Sequence, residues 1–289
     1  MDQAGELRAM KNGRADLKTM PSKCNGNIRV IAVTSGKGGV GKTNITANLA
    51  YLLSRQGKKV LLLDADTGLA NIDIVLGITP KYNLSHVLSG EKTLAESVVQ
   101  GPGGIKILPA SSGIRGMAEL SKGQKFTLLE ELDGLDENFD YMLIDTAAGI
   151  TENVLYFNMV AGEIIVVVTP EPTSLTDAYA LIKILYRDYS VKRFMLVVNM
   201  VRNSDEAIAV ARRLNNATNH FLDLPISYLG HILQDRNVSE AVRQQRLLTE
   251  TQSDSKACKG MSDIITELCR RTPYNFDDGT IKFFNRFRH

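Results

Sequence analysis

The sequence predicts a single α/β domain built on a mostly parallel, twisted β-sheet with helices on both faces. Apolar, β-rich runs alternate with helical patterns along most of the 289 residues. Most of those runs are continuously apolar, as expected of strands covered on both faces by crossover helices. Several are followed by glycine-rich or acidic segments. Those segments fall where open α/β sheets gather ligands, beyond the carboxyl ends of the strands.

Residues 1–27 mix Lys, Asn, Gly, Asp and Ser without a sustained period, and Pro21–Asn27 is turn-rich, so this stretch reads as a flexible arm. The folded body begins at Ile28 and extends to 272. Its strand-like runs are Ile28–Thr34, Val60–Asp64, Ile105–Pro109, Tyr141–Asp145, Glu163–Thr169, Phe194–Asn199 and Ser227–Leu229. Helical patterns lie between them, among them Lys42–Gln56, closed by Gly57, and Ser174–Asp188. Such alternation gives right-handed crossovers and parallel pairing. No repeat or internal linker divides the body. Residues 273–289 read as a separate tail.

Composition narrows the function classes. Hydrophobic residues at 44% and charged residues at 23% are the balance of a globular protein, which excludes wholesale disorder, collagen and coiled coil. The 34 basic and 32 acidic side chains leave +2, too little to make nucleic-acid binding the default. The longest aliphatic run in a strand-like segment, Ile164–Val168, falls far short of the roughly 20 residues of a membrane-spanning helix. Cys24, Cys258 and Cys269 form no metal-ligand spacing and suit reduced thiols. With no secretory signal pattern at the start, cytoplasmic residence is the expectation.

The first strand leads into Ser35-Gly36-Lys37-Gly38-Gly39-Val40-Gly41-Lys42-Thr43, which fits G-x-x-x-x-G-K-[ST] from Gly36 and sits between a strand and a helix. Glycines let successive backbone N–H groups curl around phosphates, and the helix N-terminus adds its dipole. Lys42 is placed to reach the β- and γ-phosphates of a nucleotide, and the Thr43 hydroxyl to ligate Mg²⁺. The run Tyr141–Ile144 ends in Asp145-Thr146-Ala147-Ala148-Gly149; an aspartate closing a buried strand is suited to hold Mg²⁺, directly or through water. ATP and Mg²⁺ are the expected cofactors.

Lys37, inside the loop, is not required by an ordinary phosphate loop. The segment K-G-G-V-G-K-T resembles the deviant Walker A motif of the MinD/ParA ATPases. The resemblance implies a P-loop fold, with Lys37 reaching the nucleotide of a partner subunit so that ATP joins two chains. A second ammonium at developing phosphate charge is an electrostatic catalyst, comparable to an arginine finger. Asp64-Ala65-Asp66-Thr67-Gly68-Leu69-Ala70-Asn71-Ile72-Asp73 resembles that family's first switch, D-x-D-x-G-x-x-N-x-D. By the resemblance, Asp66 orients the attacking water and Asp64 supports the Mg²⁺ shell. The second switch usually reads D-x-P-A-G; Ala147 stands where proline is expected, which implies a less rigid loop, and the Gly149 N–H is implied to sense the γ-phosphate. Asn199-Met200-Val201-Arg202 has Arg202 in the place of a guanine-reading aspartate, so adenine is favoured; Asn199 is either a base contact or a simple strand cap.

At the carboxyl end, Ile281, Phe283, Phe284 and Phe287 would line one side of a helix, with Lys282 and Arg286 on the other. A basic, aromatic amphipathic end suits an anionic membrane surface or packing back on the body, and MinD proteins carry a comparable targeting sequence. At the amino end, Asp2, Gln3, Ala4, Leu7 and Arg8 match D-Q-A-x-x-L-R, so that the whole chain resembles the flagellar MinD-like family, FlhG (also FleN or YlxH). That family implies an arm that stimulates the FlhF GTPase. It also implies flagellar switch proteins and a flagellar transcription activator as further partners. No specific nucleic acid is implied. The alternatives are a MinD-type division regulator, a ParA-type partition ATPase, an iron–sulfur carrier or ATP-dependent ligase on the same scaffold, and a non-enzymatic adaptor. The arm argues against the first, the +2 charge against the second, and the lack of cysteines near the switches against a carrier.

Overall fold

The structure is a computed structural model that describes residues 28–66, 71–110, 120–135 and 138–273. An eight-stranded sheet is formed by β1 (Arg29–Ser35), β2 (Val60–Ala65), β3 (Val99–Gln100), β4 (Lys106–Leu108), β5 (Tyr141–Ala148), β6 (Glu163–Val168), β7 (Phe194–Val201) and β8 (Ser227–Leu233). Their order across the sheet is β3-β4-β2-β5-β1-β6-β7-β8. All pairs are parallel except β3–β4.

Strand parity explains the continuous apolar runs. Ile31, Val33, Leu62, Leu143, Ile165 and Val197 project to one face and pack with α1 (Lys42–Arg55) and α11 (Lys256–Arg270). Their neighbours turn to the other face. There Ala32, Leu63 and Ile144 meet α5 (Lys122–Asp133) and α6 (Glu152–Val160), and Val166, Leu196 and Val198 meet α7 (Pro172–Tyr189) and α8 (Ser204–Leu222). With helices on both sides, no polar alternation is needed. The smaller helices are α2 (Ile72–Leu76), α3 (Leu84–Leu88), α4 (Leu94–Ser97), α9 (Arg236–Arg243) and α10 (Leu248–Thr251).

The seven expected strands are all present, and most are longer than the sequence indicated. β8 continues to Leu233 through Gly230, where an added Cβ would sit 2.7 Å from Ile264 on α11. This glycine, just past the expected end of the run at Leu229, is the point where a helix comes closest. The two-residue antiparallel β3 is an addition, too short to carry a pattern. Gly57 closes the first helix at φ +80°, with Gln56 as its C-cap. Among the described residues no helix is long and apolar enough to cross a membrane.

At the amino end of the sheet, Arg29 donates to both Glu163 oxygens at 2.7 and 2.8 Å and to the Leu268 carbonyl at 2.7 Å. A buried ion pair therefore also caps the last turn of α11, the favoured place for a cation near a helix C-terminus.

Candidate functional site

The loop between β1 and α1 owes its path to three glycines. A Cβ on Gly36 would collide with the Asp177 carbonyl and Ala178 amide of α7, so the backbone passes closer to that helix than any side chain allows. Gly39 and Gly41 adopt φ +77° and +90°, in the left-handed region that L side chains avoid. Gly41 is also the N-cap of α1, and a Cβ there would meet the Asn199 amide nitrogen at 2.6 Å. A Cβ on Gly38 would only touch the Ala148 side chain at 4.0 Å, an ordinary contact. Ser35 Oγ donates to the Lys37 carbonyl at 2.7 Å and stiffens the loop's entry.

Strand parity puts the acidic groups on the loop's side of the sheet. Asp64 and Asp145 lie opposite each other in the β2–β5 register, in step with Leu62 and Leu143, which face α1. Both are about 1% exposed. Burial raises the Asp145 carboxyl to about 6, against the Thr43 hydroxyl bond and the nearby Lys42 ammonium, which lower it. Burial first, then the charge of Asp145, hold Asp64 well above the usual carboxylate range. Asp64 accepts backbone N–H bonds from Asp66 at 3.1 Å and Ile72 at 3.4 Å. Lys42 is buried, and desolvation lowers its pKa while Asp145 and Asp66 raise it. Thr46 Oγ donates to Asp145 at 3.3 Å.

This donor set fits Mg²⁺ with a triphosphate. Two buried carboxylates that resist ionisation stand beside a partly desolvated ammonium and a hydroxyl at a helix N-terminus. A hard cation takes such oxygens, and few protein ligands suffice when phosphates and water complete its shell.

Lys37 stands apart from that centre. Its ammonium lies 2.5 Å from Glu171 and donates to Thr173 Oγ at 3.1 Å, in an exposed contact at the N-terminus of α7. Neither partner belongs to a phosphate motif. The signal was available, because Thr169-Pro170-Glu171-Pro172 follows a strand on the ligand-bearing edge just as the chosen segments do. Gly149, at φ +93°, donates its N–H to the Ser35 carbonyl at 3.0 Å. Ala147 belongs to β5, which runs past Asp145 to Ala148. Asn199 donates to the Val40 carbonyl at 2.8 Å, tying β7 to the loop. Its neighbour Met200 is exposed at φ +59°.

The structure thus brings Lys42, Thr43, Asp64, Asp66 and Asp145 together and places Lys37, Gly149 and Asn199 around them. Residues 67–70 of the first switch lie outside the described residues. So do the amino-terminal Asp2, Gln3, Leu7 and Arg8 and the carboxyl-terminal Ile281, Phe283, Phe284 and Phe287.

An AAA domain family model matches residues 28–197. Antiactivator FleN of Pseudomonas aeruginosa is 46% identical over 230 residues, 80% of this chain and 82% of that protein. The flagellum site-determining protein YlxH of Helicobacter pylori is 38% identical, covering 86% of this chain and 83% of its own. Among solved structures, the septum site-determining protein MinD of Pyrococcus horikoshii, complexed with Mg-ADP, superposes with TM-score 0.69 at 27% identity, over 84% of this chain and 97% of that one.

Proposed function

The chain belongs to the MinD/ParA-like branch of the AAA-domain family, as an ATP hydrolase of flagellar regulation that uses ATP and Mg²⁺, and from that premise we propose that it is a dimerisation-coupled switch. Lys42 and the backbone amides of residues 36–42 bind the β- and γ-phosphates. Thr43 and Asp145, with Asp64 behind them, would hold Mg²⁺, which neutralises phosphate charge. Asp66 orients water in line with the γ-phosphorus; the bond from that phosphorus to the β–γ bridging oxygen breaks, leaving ADP and phosphate. Asn199 turns its remaining amide oxygen to adenine.

The observation that carries the switch is Lys37, which lies in the phosphate loop while Glu171 and Thr173 engage its ammonium. In the proposed cycle a second copy, docking over the triphosphate, draws Lys37 from Glu171 and onto the opposite nucleotide. Hydrolysis removes the shared phosphate charge and releases the pair. Sedimentation with a non-hydrolysable ATP analogue tests this: the parent pairs and Lys37→Ala stays monomeric. A Lys37→Ala chain that pairs and turns over ATP like its parent would falsify the switch.

Two further parts of the reading rest on the sequence. The tail, residues 273–289, carries the ATP-bound dimer to an anionic membrane, where two copies add their weak affinities. Liposomes accordingly raise turnover in the parent and not in Asp66→Ala. The arm, residues 1–27, stimulates the FlhF GTPase through Asp2, Gln3, Leu7 and Arg8. Deleting residues 1–8 abolishes that stimulation and leaves ATP binding intact; unchanged stimulation would return the division-regulator reading to first place. Flagellar switch proteins and a transcription activator complete the proposed partners.

A further inference from the structure

The end of β7 departs from the alternation that governs the rest of the sheet. Met195 and Val197 pack on the face of α1, and Leu196 and Val198 on the face of α7 and α8. Alternation would send Asn199 to the first face and Met200 to the second. Val201 rejoins the second face three residues after Val198, so one residue is extra. The pairing with β8 carries the same insertion, with Val198 opposite His231 and Val201 opposite Leu233. A bulge of this kind re-aims a side chain, and here it re-aims Met200. The Met200 backbone takes φ +59°, and its Cε comes within 3.7 Å of the point where a Cβ on Gly41 would stand. Asn199 and Met200 therefore both face the phosphate loop. Asn199 is buried there and ties β7 to the loop through the Val40 carbonyl. Met200 is 44% exposed between two buried neighbours, so its position gains little for the core. A left-handed backbone costs free energy at any residue with a Cβ, and such outliers gather at ligand sites.

The order of strands indicates which part of the nucleotide Met200 meets. Asp64 on β2 and Asp145 on β5 lie to one side of β1, and Met200 on β7 lies to the other. Metal and terminal phosphate belong to the acidic side, so the nucleoside leaves the loop on the side of β7. We propose that Met200 is the platform on which the adenine ring rests, its thioether against the ring while the Asn199 oxygen meets the ring edge. The proposal rests on the reading of Asn199 as the adenine contact, and it adds a residue that supplies affinity where Asn199 supplies choice of base. A ring face is common to every base, so Met200 serves adenine and guanine alike and adds nothing for a ligand made of phosphate only. Arg202 takes no part, because Glu206 holds its Nε and Nη2 at 3.0 and 2.7 Å.

Calorimetry on the full chain with Mg²⁺ and ADP, GDP or inorganic pyrophosphate tests this. Met200→Gly removes the thioether and relieves the left-handed backbone at once, so its melting temperature should stay close to the parent's. It should bind ADP about 10-fold more weakly, the upper scale of a sulfur–aromatic contact, with a similar loss for GDP. Pyrophosphate should bind as it does to the parent. Met200→Leu, apolar and of similar volume, should recover most of the loss. Unchanged ADP binding in Met200→Gly overturns the proposal, and so does an equal loss for ADP and pyrophosphate, which would place the defect in the phosphate loop. Asn199→Ala should shift the ratio of ADP to GDP affinity; an unshifted ratio defeats the Asn199 reading, whereas a shift there with no loss at Met200 defeats only the platform. Peroxide labelling reads the contact directly: ADP should shield Met200 from conversion to the sulfoxide, and pyrophosphate should not. Shielding by a non-hydrolysable ATP analogue but not by ADP would assign Met200 to the second copy and overturn the platform.

Discussion

The two ends of the sheet bury charge equally well and to opposite effect. At the amino end Arg29 and Glu163 meet through two short bonds, and Arg29 Nη1 caps α11. At the carboxyl end Asp64 and Asp145 lie side by side, with Lys42 too desolvated to hold both ionised. One end is complete in itself and fastens the fold. The other is left short of positive charge, which a bound Mg²⁺ would supply. Ligand sites in such sheets are places where burial has been left unbalanced, and here the imbalance shows in the raised carboxyl groups.

Substitutions should separate the two ends. The largest effect is expected at Lys37: replacing it with alanine should reduce dimer-dependent turnover by about 10³-fold, the scale of a lost arginine finger, with the melting temperature nearly unchanged. Turnover assayed across protein concentrations reads this, and a loss that is the same at all concentrations would argue against action between subunits. Arg29→Met should act in reverse. Leaving Glu163 buried without its partner should cost about 3–5 kcal/mol in denaturant unfolding, while ATP affinity per folded molecule holds. Unfolding that matched the parent would remove the contrast between the ends.

A pH series sharpens the comparison. Asp145 titrates near 6 in the folded chain, above the ordinary aspartate value of about 3.9 expected when unfolded. The folded state therefore binds the extra proton between these values, so this group's contribution to stability falls as pH rises from about 4 to about 6 and stays low above. Asp64 acts in the same direction. Without nucleotide, the parent should lose on the order of 2 kcal/mol relative to Asp145→Asn between pH 4.5 and 7. Parallel melting curves for the two proteins would refute the assignment of the imbalance to Asp145. The smallest expected effect is Glu171→Gln. An exposed ion pair contributes under about 1 kcal/mol, so stability should barely move. The protein concentration needed for ATP-dependent pairing should nevertheless drop, because Lys37 is released more easily.

The sequence made the carboxyl end legible and the amino end obscure. Glycines and lysines between a strand and a helix have few uses, and Asp64 and Asp145 each follow a buried run, so their meeting could be foreseen from parity alone. Glu171 belongs to no phosphate pattern and is marked only by following a strand on the ligand-bearing edge; the fold brings it to Lys37, 134 residues away in sequence. The Arg29–Glu163 pair is equally silent, since neither residue belongs to a motif and 134 residues separate them. β8 runs past the expected end at Leu229 because Gly230 leaves room for α11 to approach the strand.

A backbone amide has one hydrogen to give. Gly149 gives it to Ser35 in the resting chain, at the entry to the phosphate loop. If that hydrogen is later to meet a terminal phosphate, the strand bond must open first. A diphosphate, lacking the outer group, would offer nothing in exchange. The glycine would then discriminate by refusal, answering only a nucleotide long enough to take the bond's place.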